Sequence, residues 1–169
     1  MSSGLRRDRV SPSAQQEAGR RGDVSVTAAD LVGTWLLESW ETRYADGRTI
    51  YPMGEDALGF LLYSADGYMA ATLSRRNRAP FRTGEMLTAD LVEKVQGWDS
   101  YFSYVGRYSV VGDKVMHHIV ASQYPNWIGD DQVRALVLDD NRLELSTPTQ
   151  TTRRGCQISR LIWSRLSRS

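Results

Sequence analysis

The chain has 169 residues and a formal net charge of +1, enough length for one domain with a sizeable core and no charge excess to draw it to nucleic acid. No apolar run reaches the length of a membrane-spanning helix, and the single cysteine, Cys156, has no partner for an internal disulfide. Five Trp, eight Tyr and three Phe supply large rings, most with a polar tip, which suit a core or a pocket wall.

Residues 1–26 read as a basic N-terminal extension. Between Met1 and Gly22, Arg6, Arg7, Arg9, Arg20 and Arg21 stand against Asp8 and Glu17. Almost no large apolar residue is present to offset the entropy of ordering, so the segment is expected to be disordered. It lacks the apolar stretch of a secretory signal. Together with the lone cysteine this gives the expectation of a cytoplasmic protein, without membrane or nucleic-acid partners.

A single folded domain is expected over 27–169. Thr27 is placed to cap one helical turn ending at Leu31 and Val32. "GTWLLESWETRYADGRTIYP" reads as a long strand turning at Asp46-Gly47, and "GFLLYSADGYMAATLS" as a hairpin turning at Asp66-Gly67. From Thr88 to Ser103, Leu91, Val92, Val95, Trp98 and Phe102 recur at helical spacing, with Thr88 as the N-cap. "YVGRYSVVGDKVMHHIVAS" then turns at Gly112-Asp113, "QVRALVLDDNRLELST" at Asp139-Asp140-Asn141, and "CQISRLIWSRL" is a last strand. About eight strands at hairpin spacing with one inserted helix predict an all-β, antiparallel up-and-down barrel, whose interior holds side chains or one small ligand. A two-sheet sandwich is the alternative.

Both histidines of the chain, His117 and His118, lie side by side on one predicted strand, so they point to opposite faces. The inward phase is set by Tyr104, Gly106 and Tyr108 against Arg107 and Ser109, and by Leu143 and Leu145 against Arg142 and Glu144. Extended across the hairpins, this phase brings Leu136, Leu138, Arg134 and His117 inside and leaves His118 in solvent. On the first strand Trp35 and Leu37 share a phase with Glu41, which is therefore expected inside as the partner a buried Arg134 needs. His117, Tyr104, Tyr108 and Arg134 are the candidate catalytic donors. Glu41, Leu61, Tyr63, Met69, Leu73, Trp98, Asn126 and Trp127 are the candidate substrate-binding residues. Apolar walls with a few donors are the usual make-up of a small-molecule site. Neighbouring histidines on one strand cannot chelate a metal from one face, and no spaced Cys/His/Asp cluster accompanies them. No nucleotide or nucleophile-elbow motif is present, so no cofactor or metal is expected. Arg75, Arg76 and Arg78 form a basic loop, read as solvated or as a contact for an anionic ligand end.

The pieces "LVGTW", "DGRTIYPMG", "GFLLYSADGYM", "YVGRY", "VMHHIVAS", "PNWIGDDQVR" and "LIWSR", in this order from Leu31 to Arg165, resemble the bacterial and fungal lipocalin-like domain family. The resemblance implies a lipocalin-like barrel with an enclosed pocket, often encoded beside natural-product biosynthesis genes. It also implies that Trp35 packs at the closed end beneath Arg165 as a structural pair. The expected function is that of a cofactor-independent cyclase closing a ring on a flexible, largely apolar polyketide- or terpenoid-type molecule, by confinement and donors to an enolate-like oxygen. The alternative is a non-catalytic carrier of a hydrophobic metabolite, with a haem-binding barrel behind both. A homodimer is left open.

Overall fold

A computed structural model describes residues 26–85 and 87–166; apart from Val26, the basic extension expected over 1–26 lies outside them. The strands are β1 (Gly33–Tyr44), β2 (Thr49–Ile50), β3 (Leu58–Tyr63), β4 (Tyr68–Ser74), β5 (Tyr101–Val111), β6 (Lys114–Ser122), β7 (Asp131–Asp139), β8 (Arg142–Ser146), β9 (Gln150–Thr152) and β10 (Gly155–Arg165). Helix α1 (Ala28–Leu31) precedes β1, and α2 (Leu91–Asp99) joins β4 to β5. Eight strands run in the order β1-β3-β4-β5-β6-β7-β8-β10, and the antiparallel pairing of β1 with β10 closes the ring. That closure decides for the barrel over the sandwich and leaves no free edge among the eight. The short β2 and β9 extend the ends of β1 and β10.

The turns fall where the sequence places them. Gly67 closes the β3–β4 hairpin with φ +85°, a conformation open to glycine at no steric cost. Trp35, Trp163, Tyr63, Leu31, Leu61, Leu143, His117 and Val115 are the most deeply buried large side chains. Each apolar one contributes about 1.5–3 kcal/mol by leaving water.

Two bulges change the register. In β1, Leu37 pairs with Trp163 but Ser39 pairs with Ile162, so Glu38 is an extra residue and the inward phase shifts there. Trp35 and Leu37 face in before it; Trp40, Thr42 and Tyr44 line the interior after it. Glu41 consequently leaves the interior. Its carboxylate lies 2.9 Å from Arg43 and 3.8 Å from Arg160, and the expected Glu41–Arg134 pair does not form. The second bulge sits opposite Gly106, where Val105 pairs with Ala121 and Gly106 with Ile119. A Cβ on Gly106 would lie 2.0 Å from the His118 carbonyl oxygen, so only glycine allows the strands to meet there.

Helix α2 departs from expectation in two ways. Its N-cap is Asp90, not Thr88: the Asp90 carboxylate accepts from the Glu93 N–H at 2.9 Å while Glu93 reaches back toward the Asp90 N–H, a reciprocal cap that Thr88 cannot offer. Its apolar residues Leu91, Val92, Val95 and Trp98 are exposed, and the buried residue is Glu93. Polar contacts tie this segment down. Glu93 accepts from the Arg82 backbone at 2.8 Å, Arg78 donates to the Gly97 carbonyl, and Gln123 donates to the Trp98 carbonyl at 2.9 Å. Phe102 belongs to β5 rather than to the helix.

Candidate ligand cavity

One end of the barrel is sealed. The Trp35 indole N–H donates to the Leu31 carbonyl at 2.9 Å, and the Arg165 guanidinium lies 4.1 Å from the Trp35 ring centre while donating to the carbonyls of Val32 (2.7 Å) and Asp30. Tyr108, expected among the catalytic donors, belongs to this closure. Its hydroxyl faces the carbonyls of Ser64 (3.0 Å) and Ala28 (3.3 Å). Strand alternation brings its ring inward, and its position along β5 places it at the sealed end, where it does not line the cavity described next.

A partly open cavity of about 240 Å³ occupies the other end. Leu73, Phe102, Trp127, Leu145, Leu161 and Trp163 give it an apolar wall, while Thr42, Tyr104, Arg134, Thr147, Gln157 and Ser159 bring polar groups. The Thr42 and Ser159 hydroxyls meet at 2.8 Å, and Thr147 accepts from the Ser159 N–H at 3.0 Å, so much of the polar wall is internally satisfied. Trp40 and Trp163 also line the cavity, and their buried indole N–H groups have no acceptor among the described residues.

Behind this wall lies the imidazole of His117, 0% exposed. Its Nε2 is 2.7 Å from the Tyr63 hydroxyl and its Nδ1 is 3.4 Å from the Tyr104 hydroxyl. Burial, followed by the charges of Arg134 and His118, holds its pKa down at about 3, so the ring is neutral near pH 7. A neutral imidazole has one N–H and one lone pair. The Tyr63 hydroxyl has no hydrogen-bond partner except Nε2 among the described residues, so donation to Nε2 is the one way to satisfy its hydrogen. This puts the ring proton on Nδ1, directed at the Tyr104 oxygen by the longer contact. The Tyr104 hydrogen is then left for the cavity. Burial raises the pKa of both tyrosines, so they too are neutral. His118 is on the outer face, between Ser109 at 3.1 Å and Asp131 at 2.5 Å.

Arg134 is 6% exposed. Its Nη1 donates to the Val133 carbonyl at 2.8 Å, and the guanidinium packs 5.7 Å from the Trp127 ring centre. Among the described residues no carboxylate lies within 4.0 Å of it.

Of the residues expected from sequence, the fold brings Tyr104, Arg134, Leu73 and Trp127 to the cavity and His117 and Tyr63 directly behind Tyr104. Leu61 and Met69 are core residues that do not line it. Trp98 and Asn126 are exposed, on α2 and on the short turn Pro125–Trp127, and Glu41 is outside. Sequence reasoning missed the β10 side of the wall, where Gln157, Ser159, Leu161 and Trp163 recur at every second residue; that period of two was the available signal. Both ring nitrogens of His117 face tyrosine hydroxyls. Among the described residues no three His, Cys, Asp or Glu side chains converge as for a metal, and no helix is long and apolar enough to cross a membrane.

Residues 32–166 match the family model described as lipocalin-like domain. The chain belongs to the lipocalin-like domain family. A curated relative, the 4'-hydroxy-3'-methoxypropiophenone carrier protein ppsC of Aspergillus oryzae, is 31% identical over an alignment of 109 positions that covers 59% of this chain and 98% of that protein. Among solved structures, a lipocalin-like protein from Bacteroides uniformis matches 81% of this chain and 99% of its own at 17% identity and TM-score 0.42. An uncharacterized protein from Bacteroides eggerthii matches 81% of this chain and 100% of its own at 16% identity and TM-score 0.41.

Proposed function

We propose that this lipocalin-like barrel is a carrier: it holds a small, largely apolar metabolite bearing an oxygen acceptor and releases it unchanged. The observation that supports this reading is the make-up of the cavity wall, which among the described residues contains no Asp, Glu, His, Lys or Cys. His117, the nearest imidazole, stands behind Tyr104 with its pKa held at about 3. Such a ring is a poor base at neutral pH, and a buried tyrosine with a raised pKa is a poor acid. A wall unable to take a proton suits retention better than chemistry. The name of the Aspergillus relative, a carrier of an aryl ketone, agrees with it. The protein is proposed to act in the cytoplasm on a hydrophobic small molecule, without cofactor.

A second reading is favoured by Arg134 and Tyr104, whose donors face the cavity: a cyclase of natural-product biosynthesis that folds a polyketide- or terpenoid-type chain and stabilises an enolate-like oxygen. One experiment separates the two. Purified protein is titrated calorimetrically with 4'-hydroxy-3'-methoxypropiophenone, and a linear polyketide-type diketone is incubated with it and analysed by chromatography. The carrier reading expects saturable one-to-one binding and full recovery of both compounds. A new product exceeding the protein-free control makes the protein a cyclase. Absence of binding by either compound overturns both readings.

A further inference from the structure

Resting on the reading of the cavity as a ligand site, we propose that its ligand is bound as an oxyanion, a phenolate or enolate whose charge sits against Arg134. The guanidinium carries five N–H donors and a permanent charge, and one carbonyl, that of Val133, is its only hydrogen-bond acceptor among the described residues. The titratable groups around it cannot supply a counter-charge. His117 is neutral, and Tyr63 and Tyr104 hold their protons through burial. Glu41, the acid nearest in expectation, is spent outside the barrel on Arg43 and Arg160. The ring of Trp127 covers the cation from one side and also meets Tyr104 edge-on at 5.5 Å, so the charged donor and the Tyr104 hydroxyl flank the same aromatic wall.

A buried charge without a partner is strongly unfavourable. A neutral carbonyl in the cavity would accept a hydrogen bond and leave the charge standing. An oxyanion would accept from Arg134 and from the Tyr104 hydroxyl together, by the shorter, stronger bonds that an ionised acceptor makes. The volume of about 240 Å³ is small for a ligand pocket and suits one substituted ring.

The test uses 4-nitrophenol, whose neutral and anionic forms differ in colour, and its neutral counterpart 4-nitroanisole. The full-length protein is titrated with each, and the bound nitrophenol is followed by absorbance against pH. The expectation is a bound pKa at least about one unit below the free value, which is a preference of about tenfold or more for the anion, and binding of nitroanisole at least about tenfold weaker. Arg134→Gln should abolish the lowering and Arg134→Lys should retain it, with melting curves confirming that both fold. The proposal is overturned if nitrophenol binds with an unchanged or raised pKa, or if nitroanisole binds as tightly; the carrier reading survives either result. Binding of neither probe, at any pH, removes the ligand site and this inference with it.

Discussion

At the closed end Arg165 lies 4.1 Å from the centre of the Trp35 ring and donates to the carbonyls of Val32 and Asp30; at the open end Arg134 lies 5.7 Å from the Trp127 ring and donates to the carbonyl of its own neighbour, Val133. The same pair of residue types is thus used in two ways. Arg165 ties the start of β1 to the end of β10 and leaves little for solvent or ligand to do. Arg134 is buried with no carboxylate beside it among the described residues, which is unfavourable for a charge, and it borders the cavity. Trp35 shows the same contrast with Trp40 and Trp163: its indole N–H has an acceptor, and theirs have none among the described residues. At the closed end the fold itself satisfies the tryptophan and the arginine; at the cavity two indole N–H groups and most of a guanidinium are left for something else to meet.

The largest effect that tests this contrast comes from the tryptophans. Trp35→Ala should cost about 3–5 kcal/mol in urea unfolding, as for other buried tryptophans. Trp127→Leu, at the cavity, where the ring is only part-buried, should cost clearly less than Trp35→Ala while weakening binding of an aromatic ligand about tenfold or more. Equal stability losses with unchanged affinity would erase the distinction between the ends.

A smaller effect separates the two tyrosines on His117. Tyr63→Phe strands Nε2 in a dry interior and should cost about 1–3 kcal/mol, the penalty for an unsatisfied buried group. Tyr104→Phe removes a hydroxyl that also faces the cavity and should cost less stability but more affinity. Nitrogen NMR of the His117 ring reads the proton position directly; it should sit on Nδ1 in the wild type, and a proton on Nε2 would contradict the assignment.

The acid limb of stability offers a subtler reading. His117 has a pKa of about 3 in the fold against an ordinary 6.5, so below pH 6.5 the unfolded chain binds a proton that the folded chain refuses. Stability is complete above about 6.5 and falls by up to about 1.4 kcal/mol per pH unit as pH drops toward 3. Carboxylates held low by their partners, such as Glu144 on Arg160, start from 4.5 and add their own loss only below that. Between these values the slope should belong to His117 and should flatten in His117→Gln. An unchanged slope in that variant would place the titrating group elsewhere.

The fold is legible in the sequence where one local rule decides the outcome. Asp-Gly pairs turned the first hairpins, and strand alternation on β5, β7 and β8 was enough to bring His117 and Arg134 inside and leave His118 out. Legibility ends where a second rule intervenes. The extra residue Glu38 reversed the phase of β1, so counting by twos from Trp35 carried Glu41 inside when Trp40, Thr42 and Tyr44 should have been chosen. The reciprocal cap of Asp90 with Glu93 outcompeted Thr88, and the apolar spacing of α2 did not end in burial because Glu93 and Arg82 anchor that segment. On β10 the inward residues Gln157 and Ser159 look like solvent-facing ones, because the wall they join is a polar-lined cavity and not a filled core. Tyr108 lies inside yet belongs to the closure, since alternation gives the face of a strand and says nothing of the depth along it.

If Arg134 is retained for a ligand and Arg165 for the fold, the unfolding free energies of ligand-free Arg134→Met and Arg165→Met should part. Replacing a buried charge that lacks a carboxylate by an apolar side chain of similar length is neutral or stabilising, so Arg134→Met should lie within about 1 kcal/mol of the wild type or above it. Arg165→Met should lose about 2 kcal/mol, as expected for removing charged donors from the Val32 and Asp30 carbonyls together with the cation over the buried Trp35 ring. A loss in Arg134→Met as large as that in Arg165→Met would make both arginines scaffold.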